Sequence, residues 1–360
     1  MAFDESISRR SLFSALGLLP ALRLLRAQQE QDKPTFSTGV KVVNLFATVR
    51  NKAGAIVKDL TKDSFLLDED GRAQQIRYFT QESDLPLTLG LLVDTSGSQR
   101  RLIEEERAAS YRFFEQVLRP EKDVAFVIHF DFEVELLQDI TSSRRLLEKA
   151  LESLESPAQG RQQRQQSPQQ SPYPYPGGGG RRRGGMGGGR PPMGGGGGGG
   201  HSGGGTMLYD AVLLAADELM RKQSGRKALI LLTAGVDTGS KVSLSSAIEA
   251  AQRADTLVYS ILFEDPEAYG GVFGRMGTHM PNGRKVLEQI SRETGGRLFE
   301  VSKKQTLAKI YDEVDEDLRH QYSLGYSPDR ADDARGYHKI HLTTKEKGLI
   351  VQTREGYYGS

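Results

Sequence analysis

The chain has 360 residues, and its 48 lysines and arginines nearly balance 47 aspartates and glutamates, giving a formal net charge of +1. This balance gives the molecule as a whole no electrostatic attraction to nucleic acid or to an anionic membrane. The sequence contains no cysteine, which excludes disulfides, thiolate metal sites and cysteine nucleophiles. We therefore expect one large domain or two modest ones, stabilised by packing.

Residues 1–30 have the order of features found in export signals. The pair Arg9-Arg10 precedes an apolar run from Leu12 to Leu22, and the small residue Ala27 ends the segment. This order predicts a signal peptide, and the paired arginines resemble the twin-arginine type. Phe13 follows the pair one position later than in that type, so the export route stays open. We expect a protein of the periplasm, the cell surface or the medium, without a transmembrane span after cleavage.

Residues 36–84 are predicted to form short antiparallel strands. Apolar residues alternate in short bursts between Val40 and Phe79, and turn sequences at 51–54 and 68–71 separate the bursts. Alternation of this kind is typical of an antiparallel sheet.

Residues 85–320 follow a different pattern, in which strands alternate with helices. Nearly continuous apolar runs predict strands buried on both faces, at Leu87–Asp94, Val124–Phe130, Ala228–Ala234, Leu257–Phe263 and Leu298–Val301. Amphipathic segments predict helices at 102–118, 144–154, 208–220, 244–254, 285–294 and 307–318. The alternation predicts an α/β fold with a doubly wound, mostly parallel sheet. Residues 132–137 follow the second strand so closely that they predict one antiparallel edge strand.

Residues 321–360 return to strands, predicted at Tyr322–Tyr326, His338–Thr343 and Leu349–Arg354. Because β segments bracket the α/β pattern on both sides, we expect the N-terminal and C-terminal strands to meet in one small flanking β-sandwich.

Residues 157–205 interrupt the α/β pattern with glutamine, proline and then glycine, and with arginines such as Arg181 and Arg190. Such a segment cannot bury enough apolar surface to offset its chain entropy, so we expect a disordered insertion. Arginines among glycines are also found in weak nucleic-acid binders. The few aromatic residues and the expected export favour a solvated loop instead.

Oxygen-bearing side chains gather where the first buried strand ends. Asp94, Ser96 and Ser98 alternate there, and Gly97 permits a tight bend. In an open α/β sheet, ligands bind beyond the carboxyl ends of the strands. A carboxylate with hydroxyls suits hard cations such as Mg²⁺, Mn²⁺ or Ca²⁺.

This strand and its DxSxS sequence resemble the opening of the metal-ion-dependent adhesion site (MIDAS) of von Willebrand factor type A (VWA) domains. Thr206, just before a predicted helix, matches a threonine that this family adds, whereas Ala234 stands where the family has an aspartate. The resemblance covers residues 87–320. It implies a VWA fold and a metal site made by Asp94, Ser96, Ser98 and Thr206.

The alanine at position 234 implies a degenerate site. Loss of one carboxylate lowers the negative charge that attracts a divalent cation. We therefore expect weak binding of Mg²⁺, or of Ca²⁺ or Mn²⁺ in its place, in roughly the millimolar range of extracellular sites. Asp210 and Asp237 are candidate auxiliary ligands. They are also explained as a helix-start carboxylate and as a surface loop residue.

The flanking strands carry a narrower resemblance, to an exported VWA-related family of acidobacteria. It rests on the turn Glu69-Asp70-Gly71, on Leu324-Gly325-Tyr326 and on Gly356-Tyr357-Tyr358.

The resemblance implies protein–protein interaction, such as cell adhesion, rather than catalysis. In VWA domains an acidic residue of the partner protein completes the metal shell. Residues 265–283 follow a strand end at the same rim, and Tyr269 and Phe273 within them are candidates for the partner surface; a mobile loop is the other interpretation. The alternative function is a metal-independent interaction scaffold in which the metal site has decayed.

Enzyme motifs are missing from the sequence. Its six histidines show no HExxH spacing, the residues around Ser96 do not form GxSxG, and the first buried strand lacks GxGxxG. His338 and His341 are predicted to point to opposite faces of one strand and to be surface residues. We therefore predict that the protein is not an enzyme.

Overall fold

A computed structural model describes residues 42–82, 85–96, 103–154, 206–263, 283–329 and 335–359. The predicted signal peptide and glycine-rich insertion lie outside these ranges, as do Ser98, Tyr269 and Phe273.

The described residues form fourteen strands and six α-helices. The strands are β1 (Val43–Arg50), β2 (Phe65–Glu69), β3 (Arg72–Gln74), β4 (Ile76–Glu82), β5 (Leu87–Asp94), β6 (Val124–Phe130), β7 (Val134–Thr141), β8 (Arg226–Thr233), β9 (Leu257–Leu262), β10 (Leu298–Glu300), β11 (Gln321–Tyr326), β12 (Gly336–Thr344), β13 (Ile350–Gln352) and β14 (Gly356–Gly359). The helices are α1 (Ile103–Val117), α2 (Arg144–Glu152), α3 (Leu208–Leu214), α4 (Leu244–Arg253), α5 (Gly283–Thr294) and α6 (Leu307–Arg319).

The predicted helix over residues 208–220 is interrupted. After α3 the chain forms a π-helical turn over Ala215–Leu219 and a 3₁₀ turn over Met220–Lys222. The apolar spacing does not reveal this change, because Ala215 and Ala216 are fully buried in the π turn, as they would be in a regular helix.

The central sheet has six strands in the order β10-β9-β8-β5-β6-β7. Neighbouring strands are parallel except β6 and β7, which are antiparallel. The predicted doubly wound sheet with one antiparallel edge strand is therefore confirmed.

Helices cover both faces of this sheet, which explains the continuous apolar character of its strands. Leu89, Leu91 and Val93 of β5 pack in one core with α1, α2 and α6, whereas Leu92 packs in a second core with α3, α4 and α5. Each fully buried leucine contributes about 1.5–3 kcal/mol through removal of its side chain from water. These two cores fix β5 at the centre of the domain.

Two four-stranded sheets, in the orders β13-β1-β11-β4 and β14-β12-β2-β3, flank this domain. β1 pairs with β11 and β2 pairs with β12, both antiparallel. Leu45, Leu67 and Leu342 are buried in a shared core between the sheets. The expected sandwich of N-terminal and C-terminal strands is confirmed, although β14 was not predicted, because its four residues begin and end with glycine.

Within the described ranges, none of the helices combines the length and the apolar character that a membrane crossing requires.

Candidate metal centre

Asp94 is the last residue of β5, and its partner in the adjacent strand β6 is Phe130. On the other side of β5 lies β8, so the chain leaves β5 in one direction and returns to its opposite side. Such a switch of direction opens a crevice at the carboxyl ends of the strands. The Asp94 side chain therefore lies where an α/β sheet binds ligands, although the residue is only 2% exposed.

Hydrogen bonds hold both carboxylate oxygens of Asp94. The hydroxyl of Thr233, the last residue of β8, donates to Oδ2 at 2.6 Å. The backbone N–H of Ser96 donates to Oδ1 at 2.9 Å. Because the donors come from two different strand ends, they fix the carboxylate between the loops that follow β5 and β8.

Burial raises the pKa of Asp94, although the hydrogen bonds from Ser96 and Thr233 oppose this effect. The negative charge of Asp131 raises the pKa of Asp94 further. A buried carboxylate under a neighbouring negative charge is a group that a bound cation stabilises.

Thr206 lies at the same edge of the sheet as Asp94. Its neighbour Met207 donates a backbone hydrogen bond of 2.8 Å to the carbonyl of Asp131. Asp131 directly follows Phe130, the β6 residue that pairs with Asp94. The structure thus brings Asp94, Ser96 and Thr206 to one rim.

The loop after β8 also holds Thr206. The carbonyl of Thr206 accepts hydrogen bonds from the backbone N–H groups of Thr238 and Gly239, each at 3.1 Å. Thr206 is 9% exposed, so its environment is nearly as enclosed as that of Asp94.

The candidate auxiliary ligands accept hydrogen bonds from backbone N–H groups. Asp210 accepts from Lys241 and Val242 at 3.1 Å. Asp237 accepts from Tyr209 at 3.1 Å and from Ser240 at 3.3 Å. These bonds tie the start of α3 to the loop between β8 and α4, which gives both carboxylates a structural role without a metal.

Ala234, at the position where a VWA domain has aspartate, is 2% exposed. The start of α5 packs against it so closely that a Cβ atom on Gly283 would lie 2.0 Å from the Ala234 carbonyl oxygen. The side chain at position 234 contributes no oxygen, so the charge of the site comes from other residues.

Two acidic residues near Asp94 were not predicted from the sequence. Asp131 is 6% exposed and follows the β6 strand end. Glu106, in the first turn of α1, is completely buried, and among the described residues neither of its carboxylate oxygens has a hydrogen-bond partner. Burial raises the pKa of Glu106 well above its ordinary value, and the charge of Asp94 adds to this effect.

A signal for both residues is present in the sequence. Asp131 is the polar residue directly after a buried strand, the position at which such sheets bind ligands. Glu106 lies three residues after Ile103 and four before Ser110, and all three are on the buried face of α1. An acid on a buried helix face predicts a functional or unusually protonated carboxyl group.

The donor set fits a hard divalent cation. Carboxylate and hydroxyl oxygens are the preferred ligands of Mg²⁺ and Ca²⁺. Asp94 contributes one negative charge, and the charge of Asp131 acts on the same position. A divalent cation at this rim would offset the unfavourable burial of Asp94.

The sequence matches no protein-family model and no curated protein. Solved structures do match. BatB from Bacteroides thetaiotaomicron is 15% identical with a TM-score of 0.41, over 64% of this chain and 97% of that chain. A von Willebrand factor type A structure from Catenulispora acidiphila is 10% identical with a TM-score of 0.43, over 90% and 75% of the two chains.

A third match is the proximal thread matrix protein 1 of the mussel byssus, solved with a zinc-occupied MIDAS motif. It is 12% identical with a TM-score of 0.43, and the match spans 69% of this chain and 49% of that chain. At these identities the likeness concerns the fold alone.

Proposed function

The α/β domain of this chain is VWA-like in its sheet order and in the position of Asp94, and from this premise we propose an exported module that binds a protein partner through a degenerate MIDAS. The observation that carries the proposal is the buried carboxylate of Asp94, which Thr233 and Ser96 hold at the switch point of the sheet. Polar groups fixed in this way at a crevice are the usual basis of a binding site.

In this proposal the residues that hold the cation are Asp94, Ser96, Ser98 and Thr206. A bound Mg²⁺ supplies positive charge and coordination positions that a partner carboxylate fills in place of water. Thr233 orients Asp94, and Asp131 adds the negative charge that position 234 lacks. The partner is therefore a protein that presents an exposed glutamate or aspartate.

A metal-independent scaffold is the second candidate function, and one specific observation favours it. The Thr233 hydroxyl and the Ser96 N–H satisfy both oxygens of Asp94 within the chain, so the rim is hydrogen-bonded without a cation. In this alternative the same surface binds its partner regardless of metal.

Partner capture with and without a chelator separates the two functions. The full chain, immobilised and exposed to native envelope proteins, is expected to retain a partner in Mg²⁺ and to release it in EDTA. Asp94→Ala is expected to abolish capture, whereas the matched control Asp139→Asn, an exposed aspartate on β7, leaves it unchanged. Capture that is equal in EDTA and in Mg²⁺ supports the scaffold and rejects the MIDAS.

Export is a separate part of the proposal and rests on residues 1–30. Expression of the whole chain followed by fractionation is expected to find a shortened product outside the cytoplasm. Replacement of Arg9 and Arg10 by lysine tests the twin-arginine route. A precursor that accumulates inside the cell supports that route, and unchanged export rejects it.

A further inference from the structure

We propose that the flanking β-sandwich contains a second metal site, in which Glu69, Asp70 and His338 bind Zn²⁺ or a similar transition-metal ion. These residues lie in strands and turns separate from the Asp94 rim. The zinc site is therefore independent of the proposed MIDAS, and each can be tested without the other.

The backbone holds the three residues together. Glu69 ends β2, and Asp70 and Gly71 form the tight turn to β3 with φ angles of 50° and 75°, as a two-residue Asp-Gly hairpin requires. Asp70 and Lys339 of β12 exchange hydrogen bonds, since the Asp70 N–H donates to the Lys339 carbonyl at 2.9 Å. The Lys339 N–H in turn donates to Oδ1 of Asp70 at 2.8 Å. Oδ2 of Asp70 then faces His338.

The ligand atoms are already close to the spacing of a metal shell. Nδ1 of His338 lies 2.9 Å from Oδ2 of Asp70 and 3.6 Å from Oε1 of Glu69. One ligand atom from each residue falls within 4.8 Å of the others. Zinc–nitrogen and zinc–oxygen bonds in tetrahedral geometry place neighbouring ligand atoms about 3.3–3.5 Å apart, so small side-chain adjustments bring all three atoms to one ion.

The surroundings of Glu69 match those of a metal-binding carboxylate. Its side chain is 7% exposed, and the Tyr357 hydroxyl donates to Oε1 at 2.6 Å. Outer hydrogen bonds of this kind orient the ligands of metal sites. The ring of His338 stacks on that of Tyr357, with centroids 5.2 Å apart, which fixes the imidazole plane.

Buried polar atoms without a partner in the described part of the protein lie around the cluster. Among the described residues, Nε2 of His338 and Oε1 of Gln74 are buried without hydrogen-bond partners. Buried polar atoms are normally bonded to protein or water, so these two atoms are available to a water or ligand beside the cluster.

A cavity of about 80 Å³ opens beside the cluster, lined also by Gln74, Pro328 and Asp329. Because a water needs only about 10–15 Å³ on this scale, the cavity accommodates an ion with bound water. The wall of the cavity contains a third carboxylate, that of Asp329, in addition to those of Glu69 and Asp70. Arg72 contributes one positive charge to the same wall. The local charge therefore favours a cation.

An imidazole ligand decides which ion the site prefers. Mg²⁺ and Ca²⁺ take oxygen ligands, whereas zinc and its transition-metal neighbours combine histidine with carboxylates. The alternative interpretation is a simple His338–Asp70 hydrogen bond that closes the hairpin. That hydrogen bond, together with the one from Tyr357 to Glu69, leaves Nε2 of His338 and Oε1 of Gln74 without partners among the described residues.

Calorimetric titration of Zn²⁺ into the full chain tests the site. All variants are made in an Asp94→Ala background, which removes zinc binding at the Asp94 rim. In this background, Asp70→Asn and His338→Gln each remove one ligand of the proposed zinc site. His341→Gln is the matched control, because His341 lies on the same strand and is exposed. We expect about one equivalent of zinc to bind in the background and in the control. Binding should weaken by at least about tenfold in both ligand variants.

Circular dichroism of the zinc-free variants checks that each one folds. Asp70→Asn retains an oxygen that accepts from Lys339, so it tests the site even if His338→Gln unfolds. Absence of zinc-dependent heat in the Asp94→Ala background overturns the proposal. Equal zinc affinity in Asp70→Asn and His341→Gln overturns it too.

Discussion

The hydroxyl of Thr233 donates a 2.6 Å hydrogen bond to Asp94 across the ends of two adjacent parallel strands. The same hydroxyl accepts a 3.0 Å hydrogen bond from the backbone N–H of Gly235. One buried side chain therefore links the carboxylate at the end of β5 to the loop after β8. The position of Asp94 depends on Thr233 as much as on its own strand.

Thr233→Val removes this donor while it preserves the shape of the side chain. Thr233 and Asp94 are both buried. A buried acceptor such as the Asp94 carboxylate costs about 1–3 kcal/mol when it loses its donor. We expect a loss of that size in the free energy of unfolding, measured by urea titration in EDTA. Thr233→Ser retains the hydroxyl and is the control. A valine variant as stable as the serine variant would show that the hydrogen bond contributes little.

Ala234→Asp restores the carboxylate that VWA domains have at this position. Affinity of oxygen sites for divalent cations rises with the number of charged ligands, so we expect Mg²⁺ to bind at least about tenfold more tightly. Without metal the variant should be less stable than the wild type, because it adds a negative charge near Asp94. Ala234→Asn is the control, because asparagine has the size of aspartate but no charge. It separates the effect of the added charge from the effect of the larger side chain. Equal affinity of the two variants for Mg²⁺ would mean that position 234 does not face the cation.

Asp131→Asn tests whether Asp131 supplies the negative charge that is absent at position 234. The variant retains an oxygen for the 3.0 Å hydrogen bond from the Glu133 N–H, so we expect the loop to stay folded. Affinity for Mg²⁺ should fall, because the charge that acts on Asp94 is gone. Isothermal titration against Asp139→Asn, which removes an exposed charge, measures the difference. Indistinguishable affinities would exclude Asp131 from the site.

Glu106→Gln tests the buried carboxyl group through the pH dependence of stability. Burial raises the pKa of Glu106 in the folded state, so the folded chain holds this proton at pH values where the unfolded chain has lost it. The unfolded chain releases this proton at about pH 4.3, the pKa of an unperturbed glutamate. The stability of the wild type therefore declines as the pH rises from about 4.3 to the pKa of Glu106 in the folded state. The glutamine variant lacks this decline.

Thermal unfolding of the two proteins in EDTA checks this expectation. The unfolding temperature of Glu106→Gln relative to the wild type should increase with pH over that window. A difference that stays constant with pH would show that Glu106 titrates normally in the folded state.

The strands of the α/β domain could be predicted because their apolar runs are long and sharply bounded. β5 has the predicted limits, since Pro86 precedes its apolar run and the acid Asp94 ends it. β14 has only four residues, and the π turn after α3 keeps the apolar spacing of a helix. Neither leaves a local signal strong enough to predict.

The candidate site was predictable only in part, for a related reason. Asp94, Ser96 and Thr206 stand in recognisable local sequences, but the hydrogen bond of Thr233 to Asp94 joins residues 139 positions apart. His338 and Asp70, which the sequence alone describes as a surface histidine and a turn residue, are 268 positions apart. Contacts of this kind depend on strand pairing, which composition and periodicity do not specify.

The direct test of a cation-dependent rim is a calorimetric titration of Mg²⁺ into the full chain and into Asp94→Asn, repeated with Ca²⁺. We expect the wild type to bind one of these ions in roughly the millimolar range, with a matching rise in unfolding temperature, and we expect Asp94→Asn to lose both effects. If neither ion gives heat or stabilises the wild type, or if Asp94→Asn responds equally, the rim is not a metal site.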